Sequence, residues 1–236
     1  MKKVLVGIVT YAGKDYVWDK FWNNIKGLSY PDYDVVIVDN SPTKKYYSKL
    51  KKRTKHDKNV KVYHVNRGST SREGMSKSLN RLREHFIKGD YSHLMMIESD
   101  LIPPKDITER LMSHNVGVVG SLYLIGHAGS ETEPPRPCLF SLDKENKGCT
   151  KNLMPDVGFK FFGKGLIKIH GCGFGSTLFQ REVVEQFKFW YSLDEPIKHS
   201  DVLFYMDYHN AGYRAYVDTD LIVPHYASDW NSVTDV

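Results

Sequence analysis

The sequence predicts an α/β fold in which helices flank a mostly parallel central sheet. Short apolar runs alternate with segments of helical period through the first hundred residues, and a β-α-β-α order implies parallel strands joined by right-handed crossovers. The runs are continuously apolar, as strands covered on both faces read. Their carboxyl ends carry polar and acidic residues, and open parallel sheets bind ligands at that edge.

Val4 to Val9 is the first strand. Trp18, Phe21, Trp22 and Ile25 recur at helical spacing, and Gly27 offers a stop. Asp34 to Asp39 is a second buried strand that ends on an acid. The strongly basic segment Lys44 to Lys58 follows as a helix, and Val60 to Val65 is the third strand. Ser71 to Phe86 is a helix with Met75, Leu79, Leu82 and Phe86 turned inward. Leu94 to Ile97 is the fourth strand and halts on Glu98-Ser99-Asp100.

The second half is less regular. Val116 to Leu124 reads as a strand, whereas Gly126 to Lys164 shows no period and is expected as a lid or binding loop. Ile167 to Phe174 returns to the core, and Arg181 to Phe187 is a short helix. Asp201 to Ala211 is a better helix, with Ser200 as N-cap and Val202, Tyr205, Met206 and His209 on one face. Gly212 closes it, and Arg214 to Val217 gives the last strand. No repeat or low-complexity linker divides the 236 residues, so one domain is expected.

Composition narrows the classes. At 41% hydrophobic residues the chain can bury a core, and its 15 Tyr, 11 Phe and 4 Trp suit clefts that stack planar or sugar ligands. No run approaches ~18 apolar residues, so no membrane span is expected. The start, Met1-Lys2-Lys3 and an apolar run, is too short for a signal peptide and lacks a small-residue cleavage site. Cys138, Cys149 and Cys172 have no CxxC spacing and read as free thiols, which points to the cytoplasm. Net charge is +5. The Lys44–Lys58 cluster reads either as a solvated helix face or as a patch for phosphates or nucleic acid.

The chemistry sits at the strand ends, Thr10-Tyr11, Asp39-Asn40-Ser41, Asn66-Arg67-Gly68 and Glu98-Ser99-Asp100. No GxGxxG follows the first strand and no GxxxxGK[ST] occurs, which argues against dinucleotide and P-loop sites. Residues i and i+2 of a strand share a face, so Glu98 and Asp100 are expected to aim at one point. Two carboxylates ~4 Å apart repel by roughly 4 kcal/mol at an effective dielectric near ~20. A hard cation such as Mg2+ or Mn2+ removes that penalty. The alternative is that Asp100 caps the following helix or turn before Pro103-Pro104. Gly171 to Gly175 either lets backbone approach a ligand or forms a packed turn. Cys172, with only His170 beside it in sequence, reads as a buried residue.

Four segments together resemble the family 2 group of GT-A glycosyltransferases. The opening "VGIVTYAGKDYVWDKFWNNIKGLSYPDYDVVIVDNS" is similar to the family's first βαβ unit, whose second strand ends on an acid that contacts the base, here Asp39. "VNRGSTSREGMSKSLN" resembles the segment with an Arg near the nucleotide, here Arg72. "MMIESD" stands where the family has Asp-x-Asp, with Glu98 in place of the first Asp. "HSDVLFYMDYHNAGYRAYVDTDLIVPH" resembles the acid-Asp helix, the Ala-Gly-Tyr-Arg turn and a late His, with Ser200 where an acid often precedes the Asp.

The resemblance implies one GT-A domain, its nucleotide half over about 1–100 and its acceptor half over about 101–236. It implies a nucleotide-sugar donor, with UDP-sugar favoured, and Mn2+ or Mg2+ held by Asp100 and His225. Thr10, Tyr11, Asp39, Arg72, Glu98, Ser99, Asp100 and Gly173 would line the donor. Asp201 would be the base of an inverting transfer to an unknown acceptor, whether glycan, lipid-linked glycan, protein or nucleic acid. The alternatives are a nucleotidyltransferase, which would need a Gly-rich, Arg-bearing loop that Thr10 to Lys14 does not supply, and a non-catalytic nucleic-acid binder on the same fold.

Overall fold

β1 (Val4–Thr10) lies in parallel between β2 (Tyr33–Asp39) and β4 (His93–Ile97), and β3 (Val60–His64) adds to the outer side of β2. Beyond β4 the sheet continues through β12 (Ser176–Gln180), β5 (Val118–Leu122), β13 (Ala215–Ile222) and β10 (Leu166–Ile169). Of these eight strands only β12 and β10 run against the rest. This is a computed structural model, and it describes residues 2–126, 135–143, 149–152, 159–192, 194 and 199–226.

Strand alternation explains the two cores. Val4, Val6 and Ile8 of β1 face one side and meet α1 (Trp18–Lys26), α2 (Lys45–Arg53) and α4 (Ile107–Ser113). Leu5 faces the other, with α3 (Ser71–Lys88), α5 (Arg181–Gln186) and α6 (Ser200–Asn210). The buried residues of α1 are Trp18, Phe21, Trp22 and Ile25, the face its spacing predicts. α3 starts where the Thr70 side chain accepts the Glu73 N–H at 3.1 Å and Glu73 reaches back to the Ser69 N–H at 2.8 Å, a capping arrangement.

Aromatic rings fix α6. Phe204 packs against Phe174, Phe179 and Phe189, with ring centroids 5.3, 5.5 and 5.5 Å away. Replacing Phe204 with Ala is expected to cost about 3–5 kcal/mol in urea unfolding, the cost of emptying a packed aromatic site. A loss under about 1 kcal/mol would mean that the cluster does not anchor the helix.

Several expectations need correction. The Gly126–Lys164 stretch, expected as loop, contains β7 (Arg136–Pro137), β8 (Leu139–Asp143) and β9 (Cys149–Asn152). β7 pairs with β6 (Leu124–Ile125), and β8 pairs with β9 and β11 (Gly171–Cys172). β8 and β9 form a local hairpin, whereas β11 joins β8 from much farther along the chain, and none of these short strands carries a clear apolar period. Ser200 does not cap α6. Its hydroxyl is buried without a partner, and His199 precedes the helix in extended conformation. The final strand extends to Ile222 through Asp218, which is buried and faces His114 Nε2 at 3.0 Å. α4 was not expected at all.

In the basic segment only Lys45–Arg53 is helical, with its lysines exposed. Cys138 and Cys172 are free thiols, and burial pushes Cys172 up to about 11. Among the described residues no helix is long and apolar enough to cross a membrane.

Candidate active site

The parallel strands deliver Thr10, Asp39 and the Glu98–Asp100 turn to one edge. Because β12 runs the opposite way, its beginning lies at that edge, and the segment after β13 brings His225 there. The Oγ atoms of Thr10 and Ser99 lie 2.8 Å apart and tie β1 to β4.

Asp100 is fully buried yet takes no main-chain amide, so it does not cap the turn. Its Oδ2 receives the Lys14 ammonium and lies 3.1 Å from His225 Nε2. Its Oδ1 is buried with no partner. Burial alone would raise the Asp100 carboxyl. The His225 hydrogen bond and the Lys14 charge outweigh burial and hold it below the usual range. Burial works against charge on His225 too, but Asp100 wins and raises it. His225 Nδ1 is 2.7 Å from the Leu124 carbonyl, which fixes a proton on Nδ1 and leaves Nε2 as the atom that can ligate. Tyr226 N–H donates to the Asp100 carbonyl at 2.8 Å and locks the two segments together.

Glu98 stands just past the strand. β4 ends at Ile97, and the Leu101 N–H closes a turn on the Glu98 carbonyl at 3.0 Å. Strand alternation therefore no longer fixes its face, but Glu98 still lies within electrostatic reach of Asp100, Lys14 and His225. Glu98 lines an apolar cavity of about 90 Å³ with Val9, Leu79, Phe174 and Asp201. Burial, then the charge of Asp100, raises the Glu98 carboxyl. Asp201 opens α6 and accepts the Val202 N–H at 2.8 Å. Burial outweighs that bond and raises its carboxyl. Two raised, half-buried carboxyls thus line one cavity, a setting suited to taking a proton.

The remaining candidates fall around this centre. Asp39 is buried at the end of β2, where Oδ1 accepts from Ser41 N–H at 3.0 Å and Ser41 Oγ at 2.5 Å, and Oδ2 lies 2.9 Å from His64 Nδ1. Arg67 lies over the Tyr11 ring at 5.4 Å. Arg72 stands in the first turn of α3 with a buried Nε that has no partner. At Gly173 a Cβ would lie 2.1 Å from the Tyr123 hydroxyl and 2.6 Å from Cys138 Sγ, so packing already fills the missing side chain's space. Ser99 is turned toward Thr10 and buried. Lys14 was not expected: a lysine in a loop after a strand carries no distinguishing signal, and only the fold sets it on Asp100.

A divalent cation fits this donor set. Asp100 offers an unpartnered buried oxygen, Oδ1, and His225 presents Nε2 beside the other, Oδ2. Among the described residues no group of three His, Cys, Asp or Glu could hold an ion by itself. Two protein ligands with the rest from phosphate and water is the usual mode for a phosphate-bound hard cation.

The profile of glycosyl transferase family 2 matches residues 5–187. Among curated proteins, none matches in sequence. Solved structures with the same fold include a mannosyltransferase from Pyrobaculum calidifontis in complex with GDP-Man and Mn2+, 16% identical, with a TM-score of 0.59 over 95% of this chain and 56% of that one. S. aureus TarS 1-349 in complex with UDP-GlcNAc is 16% identical, with a TM-score of 0.55 over 94% and 57% of the two chains. The crystal structure of A197 from STIV is also 16% identical, with a TM-score of 0.53 over 96% and 87%. The chain spans somewhat over half the length of the mannosyltransferase and TarS chains. A match over residues 5–187, on the GT-A architecture and with acids gathered at its ligand edge, identifies the chain as a member of glycosyl transferase family 2.

Proposed function

We propose that this chain transfers a sugar from a nucleotide-diphosphate donor, a UDP-sugar by first choice, to a hydroxyl acceptor with inversion at the anomeric carbon. The observation that carries the reading is Asp100, buried at the ligand edge with one oxygen unpartnered and the other facing His225. Asp100 and His225 would hold Mn2+ or Mg2+, which supplies positive charge to the departing diphosphate. The Mn2+ and GDP-Man in the mannosyltransferase complex favour a metal, and the UDP-GlcNAc in the TarS complex favours the uridine choice.

The chain's own groups do the rest. Asp39, at the end of β2, would accept from the base. Thr10, Tyr11, Ser99 and the Gly173 turn would shape the donor cleft, and Glu98 would face the sugar or ribose. The unpartnered Arg72 Nε–H is a free donor for diphosphate oxygens. Asp201 would take the proton of the acceptor hydroxyl, which attacks on the face opposite the diphosphate. We assign the nucleotide half to about 1–100 and the acceptor half to about 101–236, following the strand ends. The free thiols of Cys138 and Cys172 support placement in the cytoplasm.

The test is release of nucleoside diphosphate from a panel of UDP- and GDP-sugars, with Mn2+ or with chelator. One donor is expected to turn over, and chelation is expected to stop it. Steeply salt-dependent nucleic-acid binding, with no turnover and no metal-dependent heat from nucleoside diphosphates, would instead establish the non-catalytic binder.

A further inference from the structure

We propose that Lys14 is a resident counter-ion of the metal site: it neutralises Asp100 while the site is empty and passes to the diphosphate when a metal–nucleotide complex arrives. The proposal rests on the metal-dependent reading above. Its observation is the ion pair between Lys14 Nζ and Asp100 Oδ2, on the same oxygen that faces His225 Nε2. A divalent cation held by Asp100 and His225 would sit close to this carboxylate, where the ammonium now lies. Cation and ammonium repel, so the two cannot share the carboxylate at contact distance.

The structure also supplies the means of exchange. Lys14 ends a short 3-10 turn, Ala12–Lys14, directly after β1, and its side chain is 26% exposed whereas that of Asp100 is 0%. The carboxylate is fixed and the ammonium sits on a flexible four-carbon stem that reaches solvent. Asp100 is the one acid Lys14 touches among the described residues. Two negative charges on the incoming diphosphate then replace the carboxylate as the ammonium's partner.

The turn is tied to the nucleoside end as well. Ala12 N–H donates to Ser41 Oγ at 2.8 Å, and Ser41 in turn holds Asp39 Oδ1. Occupation of the base end and placement of Lys14 are therefore linked through three residues. The expected behaviour is poor binding of free metal and strong mutual support between metal and nucleotide.

The test compares wild type with Lys14→Met and Lys14→Arg, each checked for a single cooperative thermal transition that shows it is folded. Mn2+ alone is titrated by electron paramagnetic resonance, and Mn2+–UDP and Mn2+–GDP by calorimetry. Lys14→Met should bind Mn2+ alone roughly tenfold more tightly than wild type, the scale of losing one neighbouring like charge. It should bind the better of the two Mn2+–nucleotide complexes at least about tenfold more weakly, through loss of a charge-assisted contact. Lys14→Arg should resemble wild type in both. Equal Mn2+ affinity in wild type and Lys14→Met overturns the proposal, as does unchanged nucleotide affinity in Lys14→Met. If no variant binds Mn2+ even with nucleotide, the metal-dependent reading fails and this proposal fails with it. If wild type binds Mn2+–nucleotide and Lys14→Met behaves identically, this proposal alone fails.

Discussion

Replacing Asp100 with Ala is expected to lower metal-dependent donor turnover by roughly 10²–10³-fold, the usual loss when one preorganised group that stabilises leaving-group charge is removed. The substitution also strips Lys14 and His225 of the carboxylate between them. A fully buried pair broken in this way costs ~3–5 kcal/mol, but Lys14 reaches water, so about 1–3 is expected here. The Asp100 carboxyl lies below its usual range, so its contribution to stability is full at neutral pH and fades as pH falls through the lowered value. Asp100→Asn preserves the shape and separates folding from chemistry. Both variants should lose turnover and unfold earlier in urea, the Ala variant more so because it also loses the side chain's volume. Turnover within about threefold of wild type in a folded Asp100→Asn protein would refute the metal assignment.

Replacing Asp201 with Asn is expected to reduce the transfer rate by about 10²–10⁴-fold while leaving donor affinity intact, because a base acts on the acceptor proton and not on the nucleotide. The pH dependence adds a second check. Burial raises the Asp201 carboxyl above the ordinary aspartate value, and the base has to be ionised to act. Transfer by the wild type should therefore rise with pH along an acid limb that lies above pH ~4. The stability sign is opposite to that of Asp100. The folded state binds the Asp201 proton more tightly than the unfolded chain, so ionising it costs stability as pH rises through the raised value. Asp201→Asn removes that cost and should be no less stable than wild type at neutral pH. Normal transfer by this variant would move the proton acceptor elsewhere, with Glu98 in the same cavity the next group to replace.

What the sequence revealed follows from the range of the interactions involved. β1 to β4 and α1 to α3 are built from local periods that one segment carries by itself, and so Asp39 and Asp100 were visible as polar stops on apolar runs. The Asp100–His225 approach joins residues far apart in the chain, and only resemblance pointed to it. The strands between Gly126 and Lys164 are short and bear no apolar alternation, so no period marks them even where two of them form a local hairpin. Glu98 lies just past the end of β4, where alternation no longer predicts a face, so its setting beside Asp100 and Asp201 is read from the fold and not from spacing. Lys14 was missed because its meaning lies wholly in what it touches.

The reversed course of β12 has a further consequence. The chain departs from the ligand edge at Tyr123 and comes back to that same edge at Gly175, where the Gly175 N–H meets the Tyr123 hydroxyl at 3.2 Å and the Cys138 N–H meets the Tyr123 carbonyl at 2.9 Å. This closed neck holds the excursion between them at its base, and lengthening a loop beyond such a clasp adds little entropy cost. The clasp fixes where β12 begins relative to β5, and so keeps the turn after β4 and its carboxylates seated against the Gly175 end of β12.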